Sequence, residues 1–269
     1  MIESVKRWFK RWMAAAAPES FTAVQSARAR AHSHRLIREW GLLELNHKLI
    51  DRYGPSVRSG PFAGMVLTAM PRKEHLGPFL LGTYESELHP WLERIVGGRF
   101  SHLLDVGAKF GYYAVGLARR MPGSPVVAFD TDRWARSATR EMAGANRVPN
   151  VTPTGFCSPR WLDRHLLDGA FILSDCEGYE RELFLSARTA SLDTATLLIE
   201  THEDAAAGVA TALRERFGRT HTVEAAVAGP RMPDAGLLEF LNPQEAEAAV
   251  REHRGPQEWL LFTPRSGNR

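Results

Sequence analysis

His102-Leu-Leu-Asp105-Val-Gly107-Ala-Lys109-Phe110-Gly111-Tyr-Tyr-Ala-Val-Gly116-Leu-Ala118 is the stretch on which the fold turns. An apolar run ends at Asp105, a glycine turn follows, and helix-compatible sequence begins near Tyr112. Strand, tight turn and helix in that order form the first half of a βαβ unit. Glycine suits a turn that bends sharply or is approached closely by a ligand. In open α/β sheets that ligand binds at the carboxyl ends of the strands, where the strand order reverses.

Downstream the pattern repeats. Residues 126–129, 151–153, 171–174 and 196–200 read as strands, and 112–121, 133–145, 159–167 and 180–187 as helices between them. Short apolar strands alternating with helices predict a parallel sheet covered on both faces. A helix over 205–217 follows, then strands over 221–227 and 258–263, with a helix over 244–252 between them. The expected class is α/β, a doubly wound Rossmann-like sheet of order 3-2-1-4-5-7-6. Upstream, 2–13 reads as an amphipathic helix carrying Trp8 and Trp12 on one face, and 22–52 has helical spacing. Residues 57–70 read as a hairpin, and 83–96 as a helix capped by Thr83. The chain therefore divides into a helical and hairpin extension over 1–80 and a domain over 81–269.

The bulk properties limit the functions. Hydrophobic residues are 44% and charged residues 24% of the 269, ordinary for a soluble globular chain. Residues 1–60 carry 11 Lys/Arg against 5 Asp/Glu, which leaves 23 against 26 in the remainder. The domain has no basic excess, so nucleic acid is not expected as a partner. The basic start, residues 2–13, allows contact with an anionic membrane surface. Charges interrupt its apolar positions, so it does not read as a signal peptide. Cytoplasm is the expected compartment, and the sequence sets no oligomeric state.

The spacing selects a cofactor. Dinucleotide sites need G-x-G-x-x-G, and Lys109 stands between Gly107 and Gly111 instead. An acid before G-x-x-x-G favours S-adenosylmethionine (SAM), whose ammonium Asp105 can face and whose carboxylate the helix start can receive. Asp130 closes the second strand about 20 residues after the turn, where an acid grips ribose hydroxyls. Asp132 is the better candidate for a helix cap. Phe156 and Cys157 follow the third strand, beside the expected adenine. The fourth strand ends in Asp175-Cys176-Glu177-Gly178-Tyr179-Glu180, and the fifth in Glu200-Thr201-His202. Acids close behind a buried strand are costly without partners or work. His202 is the candidate general base, oriented by Asp175 or Glu200. The alternative is a hard-cation site in which Asp175, Glu200 and His202 hold Mg2+.

These residues give the chain a resemblance. Gly82-Thr-Tyr84-Glu85, the Asp105–Tyr113 stretch, Phe129-Asp130, Asp175-x-Glu177-Gly178-x-Glu180 and Glu200-x-His202 resemble the FkbM-type SAM-dependent methyltransferases over roughly residues 80–205. The resemblance implies O-methylation of small molecules or sugars. Together with the spacing it places cofactor contacts at Glu85, Asp105, Gly107, Lys109, Phe110, Gly111, Asp130, Phe156, Cys157, Asp175 and Glu177. Asp130 replaces the usual Glu, and Lys109 stands where Asn or Gly is common. Its amine is expected to meet the cofactor carboxylate or Asp175. A SAM-fold module without activity and a nicotinamide oxidoreductase are the competing classes.

The expected strand order separates Cys157 from Cys176 by two strands, or about 14 Å. A disulfide needs Cα atoms within about 7 Å. Both cysteines should titrate as free thiols in denatured, unreduced protein; a native bridge between them would overturn the strand order.

Overall fold

The computed structural model describes residues 41–68, 76–252 and 257–265, with 35 and 255 besides. The amphipathic helix expected over 2–13, the start of the 22–52 helix and the far end of the hairpin lie outside these residues. The described elements begin with α1 (Leu42–Tyr53), α2 (Leu76–Leu81) and α3 (His89–Val96). An alternating series follows: β1 (Leu103–Val106), α4 (Tyr112–Arg120), β2 (Val126–Phe129), α5 (Arg133–Ala145), β3 (Val151–Thr154), α6 (Pro159–His165), β4 (Phe171–Ser174), α7 (Glu180–Ser186), β5 (Thr196–Thr201) and α8 (Val209–Phe217). The chain closes with β6 (His221–Val227), α9 (Pro243–Val250) and β7 (Glu258–Pro264).

The seven strands form one sheet in the expected order, β3-β2-β1-β4-β5-β7-β6. The first five are parallel, and β7 runs antiparallel between β5 and β6. Side chains alternate across the sheet with period two. Leu103, Phe171, Leu173, Leu198, Trp259 and Leu261 pack on one face with α1 to α5. Leu104, Val106, Ile172, Leu197, Ile199 and Phe262 pack on the other with α6 to α8. Both faces are dry, which is why the parallel strands read as unbroken apolar runs. Cys157 and Cys176 are free, as the strand order requires. Among the described residues no helix is long and apolar enough to cross a membrane.

Three sequence expectations are corrected by local chemistry. Residues 57–68 close through backbone bonds such as Val57 N to Met65 O at 2.9 Å, but form a single bridge, Ser56–Val66, instead of a regular hairpin. The helix expected from Thr83 starts at His89, where Pro90 occupies its first turn. Proline suits that position because its missing N–H is unpaired there anyway. The helix expected from 205 starts at Val209, after Gly208 turns the chain with φ 74°.

The excursion between β6 and β7 is fastened to the segment before β1. A Cβ on Gly77 would lie 2.0 Å from the Ala249 carbonyl, so α2 and α9 meet backbone to backbone. Lys48 reaches Glu245 at 2.6 Å, and the Tyr53 hydroxyl donates to the Leu237 carbonyl at 2.7 Å. Arg231, almost fully buried, pairs with Glu87 and, at 2.7 Å, with Glu252.

The glycine turn is locked still more tightly. A Cβ on Gly107 would lie 1.8 Å from the Asp175 carbonyl oxygen, and its φ is 92°. Gly107→Ala should therefore destabilise the ligand-free protein by about 2–4 kcal/mol, through overpacking plus backbone strain. Thermal unfolding should show a fall of about 5 °C or more. An unchanged midpoint would mean that the glycine serves only a ligand.

Candidate functional site

The carboxyl ends of β1, β2, β4 and β5 bring most of the sequence-predicted residues together. Asp105 is buried within β1, and its Oδ2 accepts from the Ala114 amide of α4 at 2.9 Å. Burial pushes its carboxyl up to about 7, and the nearby charges of Asp175 and Asp130 add to this, against the pull of the Ala114 amide and Lys109. At neutral pH an acid so placed is only partly ionised, and a cation beside it would favour the charged form.

Asp130 ties two turns. Its Oδ2 accepts from the Lys109 amide and its Oδ1 from the Asp132 amide, each at 2.8 Å. Burial raises its pKa, and these two amides oppose the rise. Each oxygen retains a lone pair for a further donor. Asp132 is the N-cap of α5, accepting from the Trp134 amide at 2.8 Å.

Lys109 holds the turn from the other side. Its Nζ lies 3.2 Å from Asp175 Oδ2 and 3.6 Å from Glu177 Oε1. Of its two expected partners, Asp175 is therefore in place. Among the described residues four that are not glycine have left-handed backbone: Glu85, Lys109, Arg147 and Glu177. Arg147 follows the end of α5, where that conformation is ordinary. The other three are sequence-predicted site residues, and such strain persists where surrounding structure over-determines it.

At the ends of β4 and β5, Glu200, Asp175 and His202 are all buried. His202 Nε2 lies 3.5 Å from Asp175 Oδ1, 3.5 Å from Glu200 Oε2 and 3.8 Å from Glu177 Oε2. Asp175 or Glu200 was the expected orienting group; in the structure the hydrogen bond that orients His202 is to Glu180. Glu180 Oε1 accepts from His202 Nδ1 at 2.8 Å and from the Cys176 and Gly178 amides at 3.1 and 3.3 Å. Burial lowers the His202 pKa, but Glu180, Asp175 and Glu177 outweigh it and lift it to about 9. Burial also raises Asp175, yet Lys109, His202 and a hydrogen bond with Glu200 bring it below the usual carboxylate range.

Other predicted residues sit differently. Phe110 turns into the core, edge-on to Phe79 at 5.0 Å. The Cys157 thiol is buried in the core on the α6 to α8 face of the sheet, and burial pushes it up to about 12. Phe156 is half exposed and meets Tyr179 at 5.1 Å between ring centroids. Glu85 is buried, donates its amide to Glu252 Oε1 at 2.8 Å, and takes the Tyr113 hydroxyl on its carboxylate. Glu180, Tyr113, Arg231 and Glu252 are not among the sequence-predicted site residues. Glu180 and Tyr113 left a signal, as the last residues of the fourth-strand motif and of the glycine-turn stretch.

Fold and site define a doubly wound α/β protein whose acids gather at the carboxyl ends of β1, β2, β4 and β5, where the strand order reverses between β1 and β4. No family model and no curated protein matches the sequence. Among solved structures the chain is similar to a putative O-methyltransferase from Klebsiella pneumoniae, at 14% identity over 88% of this chain and 97% of that one, with TM-score 0.47. It is similar to precorrin-6y C5,15-methyltransferase from Geobacter metallireducens at 15% identity, over 62% and 81%, with TM-score 0.42. A tRNA (uracil-54, C5)-methyltransferase from Pyrococcus abyssi, solved with S-adenosyl-L-homocysteine, matches at 12% over 66% and 38%, with TM-score 0.41.

Proposed function

We propose that this chain is a class I SAM-dependent methyltransferase that methylates a hydroxyl of a small molecule or sugar. The observation that carries the reading is Asp130: the acid closing β2 is clamped by the Lys109 amide of the glycine turn and keeps lone pairs for a diol. The FkbM-type resemblance over residues 80–205 supports the hydroxyl acceptor. Lys109, between the two glycines, speaks against a nicotinamide dinucleotide.

When bound, the cofactor supplies a methyl group on a sulfonium, an electrophile that needs no further activation. Asp130 would take the ribose hydroxyls. Asp105 would face the α-ammonium beside the first turn of α4, with Glu85 reaching the same turn through Tyr113. Phe156 and Tyr179 would offer rings to the adenine. An acceptor oxygen held in line by the β4 and β5 ends gains about 7–11 kcal/mol from positioning. Asp175, Glu200 and His202 would face that oxygen and would receive the proton it gives up on methylation. A second reading, a SAM-binding module without activity, would keep cofactor affinity and lose transfer. Labelled SAM incubated with fractionated metabolites of the source cell tests transfer and finds the acceptor.

Two binding measurements check the cofactor site. Asp130→Ala should weaken SAM by about 1.5–3 kcal/mol, the range for a hydrogen bond to a charged group; full affinity in a folded variant removes Asp130 from the site. The second is a pH profile. Asp105 must be ionised, above its pKa of about 7, and the cofactor's α-amine protonated, below about 8. Affinity should peak between these values and fall about tenfold by pH 6. Asp105→Asn should abolish the acidic limb; a limb that survives this change belongs to another group.

A further inference from the structure

Glu180 is wholly buried, and its carboxylate is engaged by His202 and by the Cys176 and Gly178 amides. Its carboxylate can only accept, so the 2.8 Å bond fixes a proton on His202 Nδ1. That leaves Nε2 as the atom presented to Asp175 and Glu200. Carboxylate, imidazole and an outward Nε2 are the arrangement by which proteins aim a histidine at a metal.

The other donors fit. One ligand atom each from Asp175, Glu200 and His202 lies within 4.8 Å of the others. The two separations from Nε2 are 3.5 Å. Ligands about 2.1 Å from a metal and set at the tetrahedral angle are about 3.4 Å apart. Lys109 takes Asp175 Oδ2, whereas Asp175 Oδ1 is buried and accepts no hydrogen bond among the described residues. Protonated His202 faces this oxygen from 3.5 Å, too long for a good hydrogen bond, and a metal cation between the two atoms would take the place of the Nε2 proton.

We infer that Asp175, Glu200 and His202 form a binding site for a divalent first-row transition cation, with Glu180 as the positioning residue behind His202. One imidazole nitrogen and two carboxylate oxygens suit such ions better than Mg2+, which takes all-oxygen octahedral shells and keeps its waters. Three protein ligands leave coordination open for water or an acceptor oxygen. Under the proposed function His202 is then a ligand and not the proton acceptor.

Co2+ is the probe, added to chelator-treated full-length protein and followed by visible absorption, because low-coordinate cobalt absorbs far more strongly than the aqueous ion. One equivalent should bind, and Mg2+ should displace it only at about 100-fold or greater excess. His202→Ala and Asp175→Asn should abolish the band. Glu180→Gln should weaken binding about 10–100-fold. Should His202→Ala fail to fold, Glu200→Gln carries the same expectation. A band that survives these ligand changes, Mg2+ competing at parity, or no cobalt uptake overturns the site. SAM titrated separately into the metal-free protein keeps the outcomes apart: SAM binding without cobalt uptake sinks this inference alone, and cobalt uptake without SAM binding sinks the proposed function alone.

Discussion

The Asp175 carbonyl occupies the place where a side chain at residue 107 would begin. That contact sets the geometry of everything above the sheet. Strands β1 and β4 are in parallel register, with Val106 opposite Ser174, and the next residues of each cross at van der Waals range. Only glycine permits it. With the two loops pressed together, Lys109 stands over Asp175 and Glu177, and Asp130 can reach back to the Lys109 amide. The glycine first read as room for a ligand is therefore also room for the neighbouring loop.

The electrostatics follow from that closeness. The buried Asp175, Glu180 and Glu200 and the exposed Glu177 surround two cationic groups, the partly exposed Lys109 and the buried His202. Buried carboxylates at such density hold together only when each has a partner. Glu180 has His202 and two amides, and Asp175 has Lys109 on one oxygen. The backbone strain at Lys109 and Glu177 sits on either side of the same salt bridge.

Much of this was legible in the sequence because it is local. Four-residue apolar runs bounded by acids and glycines marked the strands at 126–129 and 171–174 to the residue. The acids at 105, 130, 175 and 200 fell at strand ends because the helices between them are short and regular. What stayed hidden depends on distant pairing. Arg231 and Glu252 are unremarkable in sequence, and only the folding of the β6–β7 excursion onto residues 85–87 makes them a buried network. Phe110 looks like a ligand contact beside the glycines, but the aromatic cluster around Phe79 claims it. Glu180 has the profile of a helix-start acid; its bond to His202 crosses from α7 to the end of β5.

Under the proposed function the Asp105–Gly111 turn and Asp130 build a SAM site and not a dinucleotide site. Isothermal titration of the full chain with SAM and, separately, with NADH separates the two. One-to-one SAM binding, weakened by Asp130→Ala, with no heat from NADH, is the expected outcome. Saturable NADH binding with none for SAM would overturn the SAM site.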